Sequence, residues 1–305
     1  MKLSNKTILV TGNFGFLGKN ICRYLINKNV NVIGVDNLSQ GTKDETIRDI
    51  CFYEDDVTNR KIFEKLKKHD IDYIFHLASP SSVILYNRNP IECFNTTIDS
   101  FLNILTFAKN NGVKKIVYPS SGSVYGKAKP PQKETDLPQP LNLYAVAKLA
   151  CENIAKCFPD VEVVFLRIFA GYGPFEDHKK DFASPLTLFL NSIMNNERPI
   201  VFGDGKQARD FVYVDDVIKA FVNSLKLEGN YIINVGSGRS YSFNFVIQTI
   251  NEMLGKNLKP VYVKKPVNYL EKTHADIKLM QKLLKIEPLD LRSGLKKYLE
   301  FLKGE

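Results

Sequence analysis

Residues 7–18 read Thr-Ile-Leu-Val-Thr-Gly-Asn-Phe-Gly-Phe-Leu-Gly, a short β-branched run that breaks into glycines at 12, 15 and 18. An apolar run bounded by glycine reads as a buried strand, and the following stretch, 16–27, has the apolar spacing of an amphipathic helix. A strand feeding a helix through such a turn supplies a tight bend, close backbone approach for a pyrophosphate and free N–H groups at a helix N-terminus.

The same alternation continues outward. Strands are expected at 7–10, 30–35, 51–53, 73–78, 115–119 and 161–166, with helices at 16–27, 60–69, 90–111 and 143–157. This alternation predicts an α/β fold, a doubly wound parallel sheet with helices on both faces and ligands beyond the carboxyl ends of the strands. From about Gly171 proline and glycine interrupt the pattern and helices dominate. Residues 1–170 with about 211–237 are expected to form the nucleotide-binding domain. Residues of about 171–210 with 238–305 are expected to form a smaller, mainly helical substrate lobe.

Composition narrows the classes. The chain has 305 residues, 44% hydrophobic and 25% charged, which suits a globular protein and not a disordered one. No apolar run approaches the roughly 18 residues of a membrane span, and no signal peptide is expected at the N-terminus. Five scattered cysteines without a CxxC argue for reduced thiols in the cytoplasm and against a disulfide framework or a metal site. Net charge is +9, and residues 256–305 hold twelve Lys/Arg against six Asp/Glu. Solvated helix faces account for that surplus, and no nucleic-acid partner is expected.

Two further features carry chemistry. Asp36 ends the second expected strand, eighteen residues beyond Gly18. A carboxylate there accepts both hydroxyls of an adenosine ribose and repels a 2′-phosphate, which favours NAD over NADP. Tyr144-Ala145-Val146-Ala147-Lys148 places a phenol and an ammonium one helical turn apart. A free tyrosine with pKa about 10 is only about 0.1% phenolate at neutral pH. Lys148 and the positive nicotinamide ring are expected to lower that value and make Tyr144 a general base. Residues 115–126, KIVYPSSGSVYG, read as a strand delivering serines 120, 121 and 123 to the same edge.

The ordered segments TGNFGFLG, HLAS, SSGSVYG, YAVAK, RIFAGYGP and FGDGKQARDFVYVDDV resemble the extended short-chain dehydrogenase/reductase superfamily. Within it the whole chain is similar to the NAD-dependent nucleotide-sugar epimerase/dehydratase branch of the UDP-glucose 4-epimerase type. The resemblance implies a Rossmann domain, bound NAD and a nucleoside-diphosphate sugar. Ser121, Tyr144 and Lys148 are the implied catalytic trio, with Lys148 also on the cofactor ribose. Gly12, Gly15, Phe16, Leu17 and Gly18 correspond to the pyrophosphate turn, Asp36 and Asn37 to the ribose contacts, and Asp56 and Val57 to the adenine edge. Leu77 and Ala78 lie along the cofactor, while His76 is expected only to pack. Ser121, Ser123, Phe202, Arg209 and Lys265 are the implied substrate contacts, and no metal is implied.

The branch shares oxidation at sugar C4. Its 4,6-dehydratases carry an Asp-Glu pair directly after the catalytic hydroxyl, and its decarboxylases a Glu there. Here Gly122 and Ser123 follow Ser121, so the chain is equipped for redox at C4 and little more. A 4-epimerase needs nothing further. A C4 dehydrogenase releasing a 4-keto sugar uses the same trio, and a non-catalytic NAD sensor could dispense with it. Departures from the family pattern stand at Ala170 and Thr97, where asparagine is usual, and at Lys265-Pro266-Val267-Asn268, where Arg-Pro-Gly-Asp is usual. The family pairs through the helices corresponding to 90–111 and 143–157, so a homodimer is expected.

Overall fold

The computed structural model describes residues 3–265 and 270–304, so Pro266, Val267 and Asn268 lie outside the described residues. The chain runs through β1 (Thr7–Thr11), α1 (Phe16–Ile26), β2 (Asn31–Asp36), β3 (Cys51–Glu54), α2 (Lys61–Leu66), β4 (Tyr73–His76) and α3 (Val83–Arg88). It continues through α4 (Pro90–Asn110), β5 (Lys115–Ser121), α5 (Leu143–Ile154), β6 (Val163–Ile168) and β7 (Ala170–Tyr172). Then follow α6 (Pro185–Met194), β8 (Ile200–Phe202), β9 (Ala208–Arg209), β10 (Phe211–Tyr213), α7 (Val214–Ser224) and β11 (Tyr231–Val235). The last elements are β12 (Tyr241–Ser242), α8 (Phe243–Leu254), β13 (Val261–Val263), α9 (Lys278–Leu284) and α10 (Leu291–Lys303).

Seven strands form one parallel sheet in the order β11-β6-β5-β4-β1-β2-β3. Side chains alternate across it with the period of two that a pleated strand imposes. Leu9, Ile33, Val35, Ile74, Ile116 and Phe165 enter the core beneath α2, α4 and α5. Ile8, Val10, Phe75, Val117, Val164 and Val235 enter the opposite core with α1 and α7. That second core continues without interruption into Leu186, Phe189, Phe243 and Leu295 of the later helices. The chain order reverses between β1 and β4, which opens a crevice at their carboxyl ends.

The later segments add three two-stranded pairs, β7 with β10, β8 with β13 and β9 with β12. Asp210, fully buried, fastens this region. Its carboxylate accepts from Ser237 N (2.6 Å), Ser237 Oγ (2.8 Å), Gly238 N (3.1 Å) and Ala275 N (3.0 Å). One side chain thus ties the β9–β10 corner to the loop after β11 and to the segment before α9.

The elements differ from the sequence expectation in a few places. Strand four stops at His76, because Leu77 N and Ala78 N turn to the Thr11 hydroxyl at 3.1 and 3.2 Å. The six-residue α3, capped by Ser82 accepting from Leu85 N, was not anticipated, nor were β7 and β11. β11 joins the main sheet beside β6, and α7 packs beneath it, with Phe221 meeting Phe75 at 5.3 Å between ring centroids.

Behind β5 a buried ion pair joins three elements. Arg167 of β6 donates to Glu152 of α5 through Nε (2.9 Å) and Nη2 (2.7 Å), and Ser120 Oγ donates to the same carboxylate at 2.5 Å. Both charged side chains are at most 3% exposed. Removing one partner strands the other charge, whereas removing both does not. Arg167→Met is expected to lower unfolding free energy by about 3–5 kcal/mol, with Arg167→Met/Glu152→Met recovering most of it. Urea midpoints of the three proteins check this.

Candidate active site

The three glycines of the first turn do different work. Gly12 has φ +69°, and a Cβ there would lie 2.8 Å from Ala78 N, so the end of β4 forbids a side chain. A Cβ on Gly18 would run into the Gly12 carbonyl, so Gly18 lets α1 pack on its own turn. Gly15 is different. Its Cβ would meet nothing nearer than the Gly12 oxygen at 3.4 Å, an ordinary contact. Gly15 is also the N-cap of α1, in extended conformation with no side-chain cap, and the first turn of the helix holds no acid. The fold leaves this backbone face bare, with the helix amides of Phe16 and Leu17 behind it, which suits an anion.

Asp36 ends β2 beside that turn. It is buried and accepts from Phe14 N and Leu38 N, both at 2.8 Å. Burial raises its pKa above the usual carboxylate value, against the pull of those two amides and of Lys19. Asn37 Nδ2 donates to Asp56 Oδ2 at 2.6 Å, so the two loop residues form one polar edge. Val57 packs in the core behind it, and Leu77 and Ala78 border the turn from β4. His76 is buried and neutral, since burial and then Lys148 hold its pKa down to about 3. It bonds Thr11 Oγ1 at 2.7 Å and stacks on Phe101, so it packs as expected.

At the next strand end, Ser121 closes β5 and caps the 3-10 turn Gly122–Tyr125. Its Oγ accepts from Ser123 N at 3.1 Å and donates to Ser123 Oγ at 3.1 Å. A Cβ on Gly122 would lie 3.1 Å from the Phe169 ring, so the position beside Ser121 is pressed against an aromatic wall. Asn142 caps α5 by accepting from Ala145 N at 2.9 Å, which sets Tyr144 in the first turn of the helix. The Ser121 hydroxyl lies near enough to the Tyr144 phenol to favour its anion. Lys148 follows one turn on, its Nζ 5.9 Å from the Tyr144 ring centroid. The structure therefore brings Ser121, Tyr144 and Lys148 together.

The electrostatics depart from the sequence expectation. Burial raises the Tyr144 pKa above its ordinary value, and the nearby Ser121 hydroxyl only partly opposes this. Burial also pushes Lys148 down to about 8, with Cys151 acting the other way. In the polypeptide by itself, desolvation outweighs the lowering of the phenol that Lys148 was expected to provide.

In the later lobe, Phe202 stands half-exposed at the end of β8. Arg209 lies over the Phe243 ring at 5.5 Å and donates to the Ala208 carbonyl at 3.0 Å. Lys265 spans Gly203 and pairs with Glu271 at 2.5 Å. Ser123 is bound to Ser121. Sequence reasoning missed three neighbours of the trio: Ser79, Tyr118 and Tyr86. Ser79 Oγ accepts from Lys148 Nζ at 2.9 Å, and Tyr86 packs edge-on to Tyr144 at 5.6 Å while bonding Thr97 at 2.6 Å. The Ser of HLAS was the one available signal.

The sequence matches the model of the NAD dependent epimerase/dehydratase family over residues 8–236. The chain belongs to that family. A UDP-glucuronate 4-epimerase from Thermodesulfobacterium geofontis is 32% identical to this family member, with 97% of this chain and 95% of the relative covered. The crystal structure of UDP-glucose 4-epimerase from Thermotoga maritima, with UDP-glucose, superposes with a TM-score of 0.93 at 32% identity over 98% and 99% of the two chains. A UDP-N-acetylglucosamine 4-epimerase from Methanobrevibacter ruminantium, solved in complex with UDP-N-acetylmuramic acid, gives 0.91 at 30% identity over 99% and 100%.

Because Gly15 is bare without a packing reason and Gly18 has one, the two alanine variants separate binding from folding. Gly15→Ala is expected to keep the wild-type Tm within a degree or two while weakening NAD binding at least about tenfold. Gly18→Ala is expected to lower Tm by roughly 4 °C or more. Calorimetry of both variants, with NAD titration, checks the contrast.

Proposed function

We propose that the protein is an NAD-dependent nucleotide-sugar 4-epimerase acting on a UDP-sugar. The observation that carries this reading is the meeting of Ser121, Tyr144 and Lys148 at the crevice edge, beside a glycine turn whose central residue is bare. Gly12, Gly15, Phe16, Leu17 and Gly18 would hold the NAD pyrophosphate, and Asp36 and Asn37 the adenosine ribose. Asp56 and Val57 would border the adenine, with Leu77 and Ala78 along the dinucleotide. NAD supplies a reversible two-electron acceptor for sugar C4.

The chain's own residues do the proton work. With Lys148 and the positive cofactor beside it, Tyr144 as phenolate would take the proton from the C4 hydroxyl and become the neutral phenol, and Ser121 would hydrogen-bond the phenol and the sugar oxygen, holding them in line. Lys148 places positive charge near the phenol and donates to the cofactor ribose. After oxidation the keto sugar turns over, and Tyr144 returns the proton as C4 is reduced on its other face. Arg209 would pair with the diphosphate in the fork geometry that guanidinium and phosphate share. Phe202 would lie against the base, with Ser123 and Lys265 completing the substrate contacts.

The residues after Ser121 support epimerisation over elimination, because Gly122 and Ser123 offer no carboxylate to remove water or to assist loss of carbon dioxide. The three named relatives share UDP and a 4-epimerase name but differ in the sugar, which supports the base and the reaction more than any one sugar.

Residues 1–170 with 211–237 form the cofactor domain in this reading, and 171–210 with 238–305 the substrate lobe. The protein is a homodimer through α4 and α5, supported by the exposed apolar side chains of Ile91, Leu143 and Val146 on those helices. It works in the cytoplasm, which its five unpaired cysteines suit. No described helix is long and apolar enough to cross a membrane.

Purified protein mixed with UDP-glucose, UDP-glucuronate and UDP-N-acetylglucosamine is expected to give the C4 epimer of at least one, with no lasting rise at 340 nm. A persistent stoichiometric rise with a 4-keto product would make it a C4 dehydrogenase instead. Tyr144→Phe is expected to retain NAD and to lose turnover by about 10²–10⁴-fold. Unimpaired turnover in that variant would remove the assignment.

A further inference from the structure

Lys148 is an ammonium at 2% exposure, and no carboxylate pairs with it among the described residues. A buried charge must be held by hydrogen bonds when no counter-ion is at hand. Two oxygens do this. Ser79 Oγ accepts at 2.9 Å from the loop after β4, and Tyr118 OH accepts at 3.2 Å from β5. Tyr118 also sets its ring face 4.5 Å from the same nitrogen. Its own proton is committed elsewhere, because Tyr118 OH donates to Cys151 Sγ at 3.5 Å. That leaves the phenol oxygen turned as an acceptor, in a chain running from Lys148 to Tyr118 to Cys151.

The groups facing Lys148 are few and uncharged. From β4 comes His76, held neutral; from the loop after β4, Ser79; from β5, Tyr118; and from α5, Tyr144 and Cys151. Tyr86 of α3 stands behind Tyr144. Burial holds the Tyr118 phenol well above its ordinary pKa, so it stays protonated and serves only as a neutral partner. An ammonium has three N–H donors. Two are taken by Ser79 and Tyr118, and one remains.

We infer that Tyr118 is a positioning residue for the active-site lysine: its hydroxyl and ring hold the Lys148 ammonium charged and in place, leaving one N–H for the cofactor ribose. The inference rests on Lys148 acting as proposed above. It explains a hydroxyl in the apolar middle of β5, beside Ile116 and Val117, where phenylalanine would fill the same core. The sign of the effect follows from the bond. Losing an acceptor disfavours the charged form, so Lys148 deprotonates at lower pH.

The test is NAD affinity measured from pH 6 to 10 for the wild type, Tyr118→Phe and Lys148→Met, with Tm recorded for each. Wild-type affinity is expected to fall as Lys148 loses its proton, and Lys148→Met is expected to lack that step. In Tyr118→Phe the step is expected about one pH unit lower, a tenfold change in the ionisation constant. Phe165→Leu, which loosens the packing of the Tyr118 ring without removing a group that faces Lys148, separates a packing effect from an effect on Lys148. Its step is expected near the wild-type position even if Tm falls. A Tyr118→Phe step coincident with the wild type would overturn the positioning role. A wild-type profile identical to that of Lys148→Met would overturn the role of Lys148 itself, and Tyr118 with it.

Discussion

The catalytic geometry hangs on a charge pair that touches no substrate. Glu152 sits two turns after Tyr144 and one after Lys148, on the same face of α5, where it meets Arg167 and Ser120. Ser120 is the neighbour of Ser121, and Arg167 lies on the next strand. A single carboxylate thus locks α5 to β5 and β6 in one register. An exposed ion pair of the same geometry would contribute little, but this pair is out of water, where breaking one half is costly. The Ser–Tyr–Lys meeting is the visible end of that lock, since a helix that slid or rotated on the sheet would separate all three groups.

The same burial that makes the lock firm sets the chemistry. The site is a desolvated pocket in which positive charge is held by neutral oxygens from Ser79 and Tyr118. Desolvation pushes the phenol up and the ammonium down to about 8, so the two values, nearly equal in water, move apart and both neutral forms are favoured. Left to itself the phenol keeps its proton, and only an added positive field makes it a base while the lysine stays charged. In the proposed reading that field comes with the oxidised cofactor, which couples proton removal to the presence of a group able to accept the electrons.

Much of the sheet was legible because buried strands announce themselves as apolar runs, and the six expected strands fall within two residues of those observed at their starts. Elements built from tertiary contacts were not. α3 has only six residues and owes its existence to the Ser82 cap, and β7 and β11 depend on partners far along the chain. The catalytic trio was legible through spacing and resemblance, but the surroundings of Lys148 were not. Tyr118 reads as one more large residue in a strand, and only the register of β5 against α5 turns its hydroxyl to the lysine. The polypeptide by itself shows no fall in the Tyr144 pKa for a related reason: spacing reveals the neighbouring charge but not the water that burial removes.

The aromatic wall behind Gly122 bears on how this chain can change over generations. Related reactions place a carboxylate directly after the catalytic hydroxyl, and here that position is Gly122. Any side chain there meets the Phe169 ring, which itself packs near Tyr125. An acid introduced alone would press its Cβ against that ring, which would have to give by a few tenths of an ångström. A smaller residue in place of Phe169 would relieve that pressure without any catalytic gain of its own. An acid at this position therefore carries a packing cost beside its chemistry, one that a change in the wall would lift.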